Sequence, residues 1–340
     1  MTRLRVGVAG VGIGQAHLLA YVLAPDLFEV VALADPDTER RTRAGADWGV
    51  PTVVGVEELL ALDLDVIDLC TPPALHEQQC ISALAANRHV ICEKPLVFSL
   101  ESLARIEAAA TASAGRIMPI FQYRFAPGIA RLKAVVEAGL CGPLRLATSE
   151  TSWLRGADYY AAPWRGTFAG EGGGAVFGHG THAHDLISWI AGPLVSISGQ
   201  TATLVNDIET EDTATGFGRT ADGGLVSMAV TLGSMREITR LRFSFEHVAA
   251  ESCTDPYEPG NEPWTFDWDT TQRAAEAEAV WAEMTPRQSG FSGQLAAFHE
   301  AVTTDAPLPV TLADARRALE LVGGWYESAQ TGVSVNLPHP

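Results

Sequence analysis

The stretch Leu4-Arg5-Val6-Gly7-Val8-Ala9-Gly10-Val11-Gly12-Ile13-Gly14 narrows the possible folds more than any other part of the chain. A compact, β-branched apolar run that breaks into closely spaced glycines reads as a buried strand turning sharply into a helix. Glycines at such a turn let the backbone approach a pyrophosphate, whose charge then sits at the helix N-terminus. The glycines at Gly10, Gly12 and Gly14 follow G-x-G-x-G, one residue short of the strict G-x-G-x-x-G form, and alone they fit a tight turn equally well. Asp35 tips the balance, because it ends the next apolar run 21 residues beyond Gly14. A carboxylate there is placed to accept hydrogen bonds from a ribose 2′-hydroxyl and to repel a 2′-phosphate, so NAD is the expected cofactor. The plainer role of Asp35 is a helix N-cap. Arg40 and Arg41 stand close enough to leave room for NADP.

The opening rhythm continues. Val30–Asp35, Val66–Thr71 and His89–Lys94 are further short apolar runs, with helix-like stretches between them at Thr38–Trp48 and Leu75–Asn87. Ser99–Ala112 reads as a helix and Arg116–Gln122 as one more strand. Strand, helix, strand in this spacing predicts a doubly wound parallel sheet of the Rossmann type. After about residue 123 the period changes to two. Leu144–Trp153, Leu194–Leu204, Thr213–Arg219, Leu225–Thr231 and Thr239–Phe245 alternate, and Ala221-Asp222-Gly223-Gly224 makes a hairpin turn. This predicts an α+β domain with a large open antiparallel sheet, crossed by helices near 127–138, 181–191, 273–284, 292–303 and 312–331. The expected domains are 1–122 and 123–340, with the last helix packing back on the first domain. A length of 340 residues accommodates two domains at roughly 100–200 residues each.

Two further segments carry chemistry. Cys92-Glu93-Lys94-Pro95 closes the strand from His89, and ligands on open α/β sheets bind outside the carboxyl ends of strands. A lysine there can hold a substrate hydroxyl and stabilise developing negative oxygen; its plainer role is to end a strand. Gly172–Asp185 places His179, His182 and His184 beside Asp185. His182 and Asp185 share a helix face, but His184 projects elsewhere and no H-E-x-x-H or C-x-x-C accompanies them, so no metal is expected. A neutral imidazole suits general-base work, and one of the three is expected to do it.

In their order, these features resemble the Gfo/Idh/MocA oxidoreductases, NAD(P)-dependent enzymes acting mostly on sugars, polyols and their derivatives. The resemblance spans nearly the whole chain. It rests on the glycine loop with His17, Ala34-Asp35-Pro36, Thr71-Pro72-Pro73-Ala74-Leu75-His76 and Glu93-Lys94-Pro95. Gln122-Tyr123-Arg124-Phe125, Pro163-Trp164-Arg165-Gly166, Gly172–Asp185 and the tail Tyr326-Glu327-Ser328-Ala329 complete it. It implies that Lys94 hydrogen-bonds the reacting hydroxyl and that His182 accepts or returns the proton. It implies an adenosine-ribose contact for Asp35 and, with Gly10, Gly12, Ile13, Gly14 and Arg40, a dinucleotide site. Thr71, Pro72 and His76 would run beside the cofactor, with Glu93, Gln122, Trp164 and Arg165 near the nicotinamide half. Substrate hydroxyls would meet Arg124, Trp153, Tyr159 and His179, each of which could equally serve as an ion pair or core packing. One departure stands out: Gly178 occupies the position of an aspartate that many members carry four residues before the histidine.

The reaction expected is hydride transfer between nicotinamide and a secondary hydroxyl or ketone of a sugar, cyclitol or sugar derivative. A redox-neutral glycosidase or lyase with tightly bound NAD, and a non-catalytic NAD-binding sensor, are the alternatives. A net charge of −18 opposes nucleic acid and anionic membrane as partners. No apolar run reaches the ~18–20 residues of a membrane helix, and the one from Leu4 meets glycine too early for a signal-peptide core. Five scattered cysteines without C-x-x-C pairing fit reduced thiols, hence a cytoplasmic location. A homodimer or homotetramer through the second domain's sheet is expected.

Overall fold

The computed structural model describes residues 2–338. The expected domain ends at Met1 and Pro340 lie outside that range. In chain order the strands are β1 Leu4–Ala9, β2 Phe28–Ala34, β3 Thr52–Val53, β4 Val66–Leu69, β5 His89–Cys92, β6 Ile117–Pro119, β7 Leu144–Leu154, β8 Leu194–Ala202, β9 Thr213–Thr220, β10 Leu225–Thr231, β11 Gly233–Phe245, β12 Val248–Glu251, β13 Thr265–Trp268 and β14 Val335–Asn336. The helices are α1 Gly14–Val22, α2 Thr38–Trp48, α3 Val56–Leu60, α4 His76–Ala85, α5 Leu100–Thr111, α6 Pro127–Glu137, α7 Phe168–Glu171, α8 Thr181–Ala191, α9 Thr271–Ala282, α10 Gly290–Thr304 and α11 Leu312–Thr331.

The chain divides into two compact units, Met1–Phe121 with Phe291–Arg316, and Gln122–Gly290 with Arg317–Pro340. Residues 291–316 thus group with the first unit, although their helical pattern places them in the second when sequence order alone is followed.

The first unit is built on a six-stranded sheet in the order β3-β2-β1-β4-β5-β6, parallel at every pairing. Its central strands are apolar on both faces, as a sheet covered on two sides requires: Val6, Val8, Ile67, Leu69, Val90 and Ile91 are fully or almost fully buried. The strand order reverses between β1 and β4, where the carboxyl ends open a crevice. Gly10 sits there with φ +91°, and a Cβ would lie 2.4 Å from the Cys70 carbonyl oxygen, so only glycine fits.

The second unit carries an eight-stranded sheet in the order β13-β12-β11-β7-β10-β9-β8-β14. It is the expected large antiparallel sheet at every pairing but one, where β10 runs parallel to β7. The chain leaves β7 at Leu154 and crosses α8 before β8, β9 and β10 return as a meander on its other side. β11 then pairs antiparallel with the edge of β7 opposite β10. Alternation of period two along β9 buries Ala214, Gly216, Gly218 and Thr220 and leaves Phe217 outside. The aromatic core includes Trp325, Phe243 and Trp264.

Candidate functional site

In the first unit, α1 starts at Gly14 with no side-chain cap and no acidic residue in its first turn. Gln15 N and Ala16 N donate to the Gly12 and Ile13 carbonyls at 3.3 and 2.9 Å, and with no side chain over the helix end its positive dipole terminus suits an anion. A Cβ at Gly12 would meet nothing within 4 Å, so the loop leaves open space where a phosphate group can approach the backbone. Those two features fit a dinucleotide. Asp35, buried at the end of β2, accepts from Val11 N at 3.2 Å and Asp37 N at 2.9 Å, and pairs with Arg40 at 3.0 Å. The cap of α2 is Asp37, which accepts from Arg40 N, so the N-cap role foreseen for Asp35 falls two residues later. Arg41 donates to the Asp35 carbonyl at 2.6 Å.

The loop after β4 is tied down by His76, whose ring nitrogens lie 2.8 Å from the Thr71 carbonyl oxygen and 3.0 Å from that of Pro95. Thr71 also bonds Gln79, 2.6 Å away, while Pro72 caps the short turn Pro73–Leu75. Glu93 is buried and accepts from the Lys94 N–H at 2.9 Å; burial alone would raise its pKa, but His17 and Lys94 bring it below the usual carboxylate value.

In the second unit, His182 lies in the first turn of α8, buried, with the ring of Tyr123 stacked on it. His179 sits in a single wider turn, Ala175–His179, with Tyr159 at 5.4 Å and Trp153 edge-on at 5.8 Å between centroids. Arg165 lies over the Tyr159 ring at 4.0 Å and over Trp164 at 4.4 Å, hydrogen-bonds the Tyr159 hydroxyl, and reaches Glu171 at 3.4 Å. His179, Trp153, Tyr159, Trp164 and Arg165 are therefore gathered into one aromatic and cationic wall. Gln122 is half-buried, and its Oε1 has no hydrogen-bond partner among the described residues.

For two residues the structure shows the second of the roles weighed for them, an ion pair and core packing. Arg124, expected against substrate, is buried and spends two donors on Asp185, at 2.8 and 2.5 Å, in a bidentate ion pair that fixes α8. Trp153 is anchored in the core through Nε1, 3.1 Å from Thr239 Oγ1 and 3.0 Å from the Pro256 carbonyl. The three histidines diverge: His184 turns to Trp325, 5.1 Å between centroids, away from the stacks of His182 and His179.

Three residues of this unit, Tyr123, Tyr257 and Glu211, carry no sequence signal of the place they take. Tyr123 was quoted only as part of a motif. Tyr257 packs on Trp153 at 4.9 Å and, with Glu237, holds Arg155 over the wall. Glu211 is buried, accepts from the Gly174 and Val176 N–H groups at 2.9–3.2 Å, and takes the Tyr326 hydroxyl at 2.8 Å, so it shapes the turn that presents His179. Burial raises its pKa. Nothing in a local motif pairs Glu211 with residues 35 positions away.

A parallel sheet ordered 3-2-1-4-5-6, with a glycine turn, an uncapped helix and an acid at the end of the second strand, defines a dinucleotide-binding protein. Residues 4–121 match the family model "Oxidoreductase family, NAD-binding Rossmann fold", and residues 129–251 match the Gfo/Idh/MocA C-terminal domain. The chain belongs to the Gfo/Idh/MocA oxidoreductase family, and its first unit is the NAD-binding Rossmann domain of that family. It is 30% identical to levoglucosan dehydrogenase of Pseudarthrobacter phenanthrenivorans over 60% of this chain and 55% of that protein. It is 34% identical to inositol 2-dehydrogenase 4 of Saccharopolyspora erythraea over 41% of this chain and 42% of that one. The chain spans about half the length of the curated relatives it matches. Among solved structures, the WlbA dehydrogenase from Bordetella pertussis in complex with NADH and UDP-GlcNAcA superposes with a TM-score of 0.86 at 27% identity, covering 100% of both chains. Among the described residues, no helix is long and apolar enough to cross a membrane.

Proposed function

We propose that this protein is an NAD-dependent dehydrogenase or reductase acting on a CH–OH group of a sugar, cyclitol or sugar derivative. The observation that carries the reading is the crevice at the β1/β4 switch point. There the open Gly12 and the uncapped α1 lie beside Asp35, and Lys94 closes the neighbouring strand β5. NAD, when bound, supplies the hydride acceptor. Gly10 to Gly14 would hold its pyrophosphate, and Asp35 its adenosine ribose. Thr71, Pro72, His76, Glu93, Gln122, Trp164 and Arg165 are assigned to the remaining contacts by the family resemblance.

In this reading Lys94 holds the substrate oxygen as a fixed cation, stabilising the charge that grows on it as the proton leaves. His182, neutral, takes that proton; in the reverse direction it returns it. Tyr159 and His179 present a phenol and an imidazole suited to further hydroxyls. Levoglucosan dehydrogenase and inositol 2-dehydrogenase 4 are named for a carbohydrate and a cyclitol, which supports this substrate class. No specific observation favours the redox-neutral or the sensor alternative.

We further assign a cytoplasmic location and self-association through the uncovered sheet face, where Leu146, Phe217 and Leu225 are exposed. The functional test is NADH formation from NAD across a panel of sugars, cyclitols and glycosides, with Lys94→Ala alongside. Absorbance that grows with the parent protein and vanishes in Lys94→Ala, while NAD still binds, is the expected result. Silence across the panel with NAD retained through purification would transfer the reading to redox-neutral chemistry.

A further inference from the structure

Beneath the glycine loop lies a closed cluster of ionisable groups, of which the reaction above uses Glu93 alone, as a cofactor contact. His17, on the first turn of α1, is fully buried, with Nδ1 2.8 Å from Asp68 Oδ2 and Nε2 3.1 Å from Glu93 Oε1. Asp68, at β4, is fully buried and also accepts from the Tyr21 hydroxyl at 2.8 Å and the Cys70 thiol at 3.6 Å. The second oxygen of Glu93 accepts the Lys94 N–H at 2.9 Å. Phe291 covers the imidazole at 4.4 Å between centroids.

A neutral imidazole has one donor and one lone pair. Set between two carboxylates, it would push that lone pair against a carboxylate oxygen, so the trio needs one more proton than neutral histidine supplies. Asp68 already accepts from two other donors, the Tyr21 hydroxyl and the Cys70 thiol, and Glu93 accepts a backbone N–H with the Lys94 charge nearby and lies below the usual carboxylate value. The extra proton therefore belongs on the ring.

We propose that His17 is a buried imidazolium clamp, a positioning residue whose two N–H groups bind Asp68 and Glu93 at once and fix the backbone from which Lys94 projects. The clamp joins the helix behind the glycine loop to the ends of β4 and β5, so it holds the dinucleotide turn and Lys94 in one frame. That functional half rests on Lys94 being the lysine that holds the substrate oxygen; the protonation half does not. Burial by itself would lower the pKa of His17, but the facing Asp68 holds it well above the ordinary histidine value. His17, Asp68 and Cys70 also bring one donor atom each within 4.8 Å of one another, a spacing open to a metal. Burial pushes the Cys70 thiol up to about 12, and its hydrogen serves as a donor to Asp68 Oδ1 at 3.6 Å.

The test is 15N-histidine NMR on the full-length protein, with the His17 signal identified by its loss in His17→Gln. In the parent protein both ring nitrogens should keep imidazolium shifts from pH 6 to 9. In Glu93→Gln, whose amide can donate to Nε2, His17 should become neutral in the same range. On the kinetic side, His17→Gln should lower kcat about 100-fold and shift the limb of its pH profile that Lys94→Ala abolishes. The Kd for NAD should move less than about threefold, on the reasoning that a clamp beneath the loop touches no phosphate. A neutral His17 in the parent protein overturns the clamp, whatever the turnover. So does a tightly bound metal, found by elemental analysis, that is lost in His17→Gln. If the imidazolium is present but no polyol is oxidised, the clamp stands and the dehydrogenase reading fails.

Discussion

The ring of Tyr123 lies on the imidazole of His182, with centroids 4.3 Å apart and planes 19° apart. The stack restricts how the imidazole can turn about its Cβ–Cγ bond, which is work a carboxylate at position 178 would otherwise share. Tyr123→Phe keeps the stack and should leave kcat within about threefold, since an offset aromatic pair needs no hydroxyl. Tyr123→Ala should lower kcat roughly 10- to 100-fold through a loosely held base. A Cβ at Gly178 would meet nothing within 4 Å, so Gly178→Asp should fold. In the Tyr123→Ala background it should recover part of the loss, as a carboxylate on the wider turn that leads into α8 supplies a hydrogen-bond partner for the imidazole. Steady-state kcat against pH for the parent and the four variants decides it, and an unchanged Tyr123→Ala profile would remove the stack from the mechanism.

Cofactor preference should turn on Asp35. Its carboxylate carries the Val11 N–H and the Arg40 guanidinium, so removing it withdraws a ribose acceptor and releases a cation at one stroke. Asp35→Ser is expected to weaken NAD binding by about 10- to 100-fold, the range of a charge-assisted hydrogen bond. NADP binding should strengthen as Arg40 becomes available to a 2′-phosphate. Isothermal titration with both dinucleotides measures the two shifts, and a variant that still prefers NAD by the original ratio would show that the discrimination lies elsewhere.

The frame of this protein was legible because local rules and global fold agree in it. Alternation of short apolar runs with helical stretches specified the parallel sheet. Helices α2 at Thr38–Trp48, α8 at Thr181–Ala191 and α11 at Leu312–Thr331 were read with their observed bounds. What escaped depends on contacts between distant segments. The parallel pairing of β10 with β7 has no signature in either strand, since period two is the same in both directions. Glu211 looks like any acid until its backbone partners at Gly174 and Val176 are known. Arg124 suits a substrate by type, and only the fold reveals that Asp185 already holds it.

The exposed face of the second unit's sheet gives a prediction about assembly. Leu225 pairs with Leu146 across the parallel strands, and Phe217, 65% exposed, stands on β9 in the next row of the same face. Apolar side chains in adjoining rows of a sheet face mark an interaction surface more often than isolated ones do. Phe217→Glu with Leu225→Glu should convert a dimer or tetramer into a smaller species by light scattering, leaving the circular dichroism spectrum intact. A parent protein that already runs as a monomer at micromolar concentration would end this assignment.

Acid stability should depend on His184. Its ring is buried against Trp325, neither nitrogen has a hydrogen-bond partner among the described residues, and burial lowers its pKa from 6.5 to about 4. A depressed histidine pKa means that the unfolded chain takes up a proton near pH 6.5 which the folded chain refuses until about pH 4. Between those values the unfolded state binds more protons, so stability falls as pH falls. A shift of this size corresponds to about 3 kcal/mol over the window, at roughly 1.4 kcal/mol per unit. His184→Leu, similar in volume and without ring nitrogens to desolvate, should match or slightly exceed the parent near pH 7. Its lead should then widen by about 3 kcal/mol by pH 4, read from urea unfolding at a series of pH values. Curves that stay parallel across the window would mean that the imidazole finds a partner or water when it charges.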